Sequence, residues 1–80
     1  MNRQEITEIV IEKIKFQLGI SKVESVNDNL LDLGMDSLDD VELIIELESG
    51  FNIEISDDDA CGIEIVSDII DLVVEKVCDE

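Results

Sequence analysis

The sequence predicts an all-α fold: a four-helix bundle with a long loop between helices 1 and 2 and a short third helix. Two observations carry that expectation. Apolar residues recur at spacings of three and four in three separate segments, which is helical periodicity. The intervening stretches are rich in Ser, Asn, Asp and Gly, and the 80 residues contain no Pro.

The first helix is predicted over Arg3 to Leu18, where Ile6, Val10, Ile14 and Leu18 form a stripe with Ile9 beside it. Gly19 is its natural stop. Ser21 to Asp36 reads as an ordered loop held to the core by Val23, Val26, Leu30, Leu31 and Leu33. Loops of that length without regular structure are often functional. The second helix is expected from Ser37 to about Ser49, capped by Asp36 and ended by Gly50, with Asp39 and Asp40 in its first turn, where the helix dipole favours acids. Leu38, Val41, Ile44 and Ile45, extended by Leu47, read as its apolar face. Asp39, Glu42 and Glu46 read as an acidic stripe. Asp57 to Ile63 can make one or two turns, weakened by Gly62. The last helix is expected over Val66 to Val77. Ile69, Ile70, Val73, Val74 and Val77 face inward there, and their spacing favours helix over strand despite the β-branched content.

Composition excludes several function classes. There are 22 acidic residues against 5 basic ones, a net charge of −17. Phosphate backbones and anionic membrane surfaces are bound through Lys and Arg, so neither is an expected partner, whereas a basic protein surface is. The chain has no His, which removes the Ser-His-Asp triad, His-ligated zinc and His base catalysis. Cys61 and Cys78 form no CxxC pattern and suit a reducing, cytoplasmic compartment. No apolar run approaches the roughly 20 residues of a membrane span. No catalytic residue and no metal site is assigned, and a monomer is expected.

The run Asp32-Leu33-Gly34-Met35-Asp36-Ser37-Leu38, continuing through Asp39, Asp40, Val41, Glu42 and Leu43, resembles the attachment site of acyl carrier proteins. The likeness extends through Glu48, Phe51, Ile53, Glu54 and Ile55 to Asp57-Asp58-Asp59-Ala60 and to Ile63 and Val66. With Gln17-Leu18-Gly19 it covers nearly the whole chain in register. It implies one carrier domain over 1–80. Ser37 would hold 4′-phosphopantetheine through a phosphodiester, added from coenzyme A by a separate phosphopantetheinyl transferase. Asp36 and Leu38 would flank the cofactor. The arm's thiol would hold acyl intermediates as thioesters for fatty acid synthesis or a specialised lipid or polyketide pathway.

The resemblance also implies that Asp36, Asp39, Glu42 and Glu48 dock basic patches on the transferase and on acyl-transferring, condensing and reducing enzymes. It further implies that Ile45, Leu47, Ile55, Ala60 and Ile63 line a pocket for the acyl chain. Position supports the role of Ser37, since the first amides of a helix lack intrahelical partners and favour a phosphate, and Gly34 allows the tight turn that keeps the serine exposed. The sequence departs from the family pattern at Asp40, Glu46, Ser56, Gly62 and Glu64-Ile65, which bears on the choice of partners and cargo. The alternative is an acidic protein-interaction or divalent-metal-binding module with unmodified Ser37. Asp57 to Gly62 with Asp68 imitates an EF-hand loop, but Cys61 stands where an oxygen ligand belongs and Asp68 is shorter than the customary Glu.

Overall fold

The computed structural model describes residues 2–78. Four helices follow in order: α1 (Arg3–Leu18), α2 (Ser37–Phe51), α3 (Asp57–Cys61) and α4 (Val66–Cys78). Helix α1 packs on α2 and α4, and α2 packs on α4. Their shared interior is aliphatic, built from Ile6, Val10 and Ile14 of α1, Leu43 and Leu47 of α2, and Val66, Ile69, Ile70 and Val73 of α4. No polar or charged side chain is buried among the described residues. None of their helices is long and apolar enough to cross a membrane.

The first three helices begin with local chemistry that the sequence spells out. The Asn2 side chain accepts the Glu5 amide at 2.8 Å, and the Glu5 carboxylate accepts the Asn2 amide in return. Asp36 and Asp39 repeat this reciprocal box at α2, and Ser56 and Asp59 repeat it at α3. Gly19 ends α1 in the left-handed conformation, at φ 67°.

The start of α4 is built differently. Its first amides, those of Val66 and Ser67, donate to the loop carbonyls of Asp28 (3.2 Å) and Val26 (2.7 Å), while the Leu30 amide donates to Glu64 (3.0 Å). Asn29 and Ile65 form an isolated antiparallel bridge. The Asp68 carboxylate accepts the amides of Glu64 and Ile65. The loop between α1 and α2 thus supplies the partners that the N-terminus of α4 lacks.

Four sequence expectations are corrected. Helix α2 does not stop at Gly50 but runs to Phe51, which packs against the core, and Asn52 takes the left-handed cap at φ 56°. A Cβ at Gly50 would meet Lys13 Cε of α1 at 3.0 Å, the flexible end of a side chain that can move aside. The inward face of α2 is Leu43 and Leu47. Leu38, Val41 and Ile45 are 72%, 57% and 57% exposed, and Ile44 is half-buried. In the loop, Leu30 is buried but Val26 and Leu31 are exposed, and Met35 takes the second buried position. Helix α3 ends at Cys61, with Gly62 as its cap, short of Ile63.

Candidate functional site

Ser37 is the first residue of α2 and is exposed. The approach to it is fixed by Gly34, at φ 102°, a conformation that side chains strain to adopt. Met35, buried between the turn and the helix, and the Met35 amide bonded to the Leu30 carbonyl at 3.0 Å anchor the turn to the core. The Asp36 carboxylate is occupied by the Asp39 amide at 2.9 Å. The chain therefore presents one serine hydroxyl at the positive end of a 15-residue helix, on a turn whose geometry is locked from both sides.

Two grooves meet at this serine. One, of about 510 Å³, lies between the loop and the segment before α4 and is bordered by Asn29, Leu30, Met35, Ile63 and Glu64. The other, of about 520 Å³, lies between α2 and α3 and is bordered by Val41, Ile44, Ile45, Ile55, Ala60 and Cys61, with Glu48 and Asp57 on its rim. Ser37 and Asp40 border both.

The residues expected to line one acyl pocket are divided by the fold. Ile45, Ile55 and Ala60 share the α2–α3 groove. Ile63 borders the other groove, and Leu47 is fully enclosed in the core. Val41, Ile44 and Cys61 border the α2–α3 groove without having been singled out for it. Helical spacing contained that signal for Val41 and Ile44, which follow Ser37 at i+4 and i+7.

The acids expected to dock partners also have intramolecular roles. The Gln17 amide donates to Asp39 at 3.2 Å and to Glu42 at 2.6 Å, tying the acidic stripe to α1. Lys13 lies 3.7 Å from Glu46 on the same seam. Glu48 accepts the Ile55 amide at 2.9 Å and so pins the connection between α2 and α3. Burial, with the neighbouring charge of Asp39 second, raises the pKa of Asp40 above the usual carboxylate value. Asp59 is held below that value by its bond to Lys76 and then by its bonds to Ser56.

The residues of the EF-hand-like run do not converge. Asp59 pairs with Lys76 of α4 at 3.0 Å, and Asp68 is bound to backbone amides. Among the described residues no three His, Cys, Asp or Glu are grouped to hold a metal ion.

Comparison with known proteins places this geometry. The family model for the phosphopantetheine attachment site matches residues 5–73. The chain is 46% identical over 79 residues to an acyl carrier protein of Guillardia theta, covering 96% of this chain and 98% of that one. It is 40% identical over 79 residues to an acyl carrier protein of Cyanidium caldarium, covering 96% and 92%. Among solved structures, the acyl carrier protein of Thermotoga maritima superposes with a TM-score of 0.85 at 26% identity, covering 99% of this chain and 94% of that one.

Proposed function

The chain belongs to the acyl carrier protein family, whose cofactor is phosphopantetheine, and on that premise we propose that Ser37 is the attachment point. As a family member it is a carrier and not a catalyst. Its role implies contact with a phosphopantetheinyl transferase and with the biosynthetic enzymes it serves. The observation that carries the reading of Ser37 is its position: an exposed hydroxyl on the first residue of α2, behind a locked glycine turn and at the meeting of two grooves.

These residues fit the group. The phosphodiester would sit at the positive end of α2, which favours an anion, between Asp36 and Leu38. When attached, the arm supplies a thiol that holds acyl groups as thioesters. Everything else falls to the chain: the turn presents the serine, and the grooves offer apolar surface beside it. Asp36, Asp39, Glu42 and Glu48 lie on or next to the helix that carries the serine. With a net charge of −17 they favour encounter with basic enzyme surfaces, mainly by raising association rates. We read residues 1–80 as one cytoplasmic, monomeric carrier unit serving fatty acid synthesis or a specialised lipid or polyketide pathway, with Ile45, Ile55 and Ala60 as the wall nearest an acyl chain.

Intact mass spectrometry before and after incubation with coenzyme A, Mg²⁺ and a broad-specificity phosphopantetheinyl transferase tests the carrier reading. The expected result is a gain of one phosphopantetheine by the apo protein. No gain, with a control carrier labelled alongside, would overturn it.

A further inference from the structure

Phe16 of α1 is the most exposed large apolar side chain among the described residues, at 90%. The chain has two Phe and no Trp or Tyr, and the other, Phe51, packs against the core. Phe16 borders a groove of about 310 Å³ on the seam between α1 and α2, together with Glu12, Lys13, Gln17 and Glu46. The polar groups around the ring are already engaged: Gln17 with Asp39 and Glu42, Lys13 with Glu46, and Lys15 with Glu12. Both lysines are thus matched by carboxylates, and the seam keeps a surplus of acid. Leu38, Val41 and Ile45, exposed on α2, each precede a member of the acidic stripe by one residue, about 100° around the helix. The acids of that stripe meet α1. An apolar stripe, an acidic stripe and the Phe16 ring therefore follow one another across the two helices.

We propose that Phe16 extends the docking surface from α2 onto α1: its ring enters an apolar recess on a partner enzyme whose Lys and Arg side chains pair with Asp39, Glu42 and Glu46. Charge selects that occupant. The ring is rimmed by carboxylates on a chain of net charge −17, which attracts a basic surface and repels a second copy of this chain. An aromatic side chain held out in water beside polar groups is the kind of anchor that interfaces bury. Gln17, next to the ring, is bonded to Asp39, two residues from Ser37, so an enzyme that engages the first turns of α2 to reach the serine is brought alongside Phe16. The inference rests on the reading of Ser37 as the attachment point and adds an anchor outside the helix that carries it.

The test uses the full apo chain as wild type, Phe16→Ala, Phe16→Leu and Glu42→Gln, with folding verified by amide NMR. Alanine is a good helix former, so α1 is not weakened by the substitution. The probe is a broad-specificity phosphopantetheinyl transferase, and KM and kcat for loading are measured at low and high salt. The expected result for Phe16→Ala is a KM raised about tenfold at both salt concentrations with kcat unchanged, since an apolar contact is not screened. Phe16→Leu should recover most of the loss, whereas the effect of Glu42→Gln should fade at high salt. Loading of Phe16→Ala with the wild-type KM would overturn the role of Phe16 while leaving the attachment point intact. A wild-type dimer in sedimentation that Phe16→Ala disperses would give the ring to a second copy and also overturn it. Failure of the wild type to load, beside a control carrier that does, would overturn both readings.

Discussion

Lys76 of α4 reaches Asp59 of α3 at 3.0 Å. The pair matters because α3 buries no residue of its own, so its place beside the α2–α3 groove depends on polar ties and on the half-buried Ala60. Asp59 also completes the cap of the same helix with Ser56. Asp59→Asn is expected to speed amide hydrogen exchange in α3 while leaving that of α1 and α4 unchanged. Equal exchange in both proteins would show that α3 is held by other contacts.

The dependence of stability on pH should run in two stages. The raised pKa of Asp40 means that its charged form is disfavoured in the fold, and the −17 net charge repels itself. Both are relieved as pH falls towards the ordinary carboxylate range, so the melting temperature should rise on mild acidification. Asp59 has the opposite sign. Its folded pKa is depressed, so its contribution is present above its unfolded value and is lost as pH falls below about 4. A melting temperature that falls steadily from pH 7 downward would contradict this order.

The two apolar stripes of α2 should respond differently to truncation. Leu43→Ala and Leu47→Ala remove buried side chains and are expected to cost about 2–5 kcal/mol each. Leu38→Ala and Val41→Ala alter exposed side chains and should stay within about 0.5 kcal/mol. Urea unfolding of the four variants checks the assignment.

That contrast marks where the sequence was legible and where it was not. The stripe of α1 was unambiguous because Ile6, Val10 and Ile14 share one face and the opposite face is charged. Helix α2 carries apolar residues at 38, 41, 43, 44, 45 and 47, so two stripes satisfy helical spacing and periodicity alone cannot choose between them. The choice is made by α1 and α4, which meet Leu43 and Leu47. The burial of Met35 and the capping of Val66 and Ser67 by the loop were hidden for a related reason. The capping joins Val66 to Asp28 and Ser67 to Val26, 38 and 41 positions apart, and Met35 joins the loop to the core of the bundle; local patterning encodes neither. The turn and cap in front of Ser37, by contrast, were legible, since Gly34, Asp36 and Ser37 lie within four residues.

Glu48 should separate docking from structure. Glu48→Ala loses the acceptor of the Ile55 amide and is expected to destabilise the fold by about 1–2 kcal/mol. Glu48→Gln retains an oxygen acceptor and should preserve stability. It should slow loading by the transferase at low salt, as should Glu42→Gln, with the difference fading at high salt. Loading rates measured across an ionic-strength series check this; a rate insensitive to both substitutions would remove these acids from the docking surface.

The most direct measurement of the central claim is fragment-level mass spectrometry of the loaded protein, alongside Ser37→Ala. The chain offers six serines, at positions 21, 25, 37, 49, 56 and 67. The expected result is phosphopantetheine on Ser37 alone, and a folded Ser37→Ala protein that gains no mass. Phosphopantetheine on another serine, or undiminished loading of Ser37→Ala, would contradict the account.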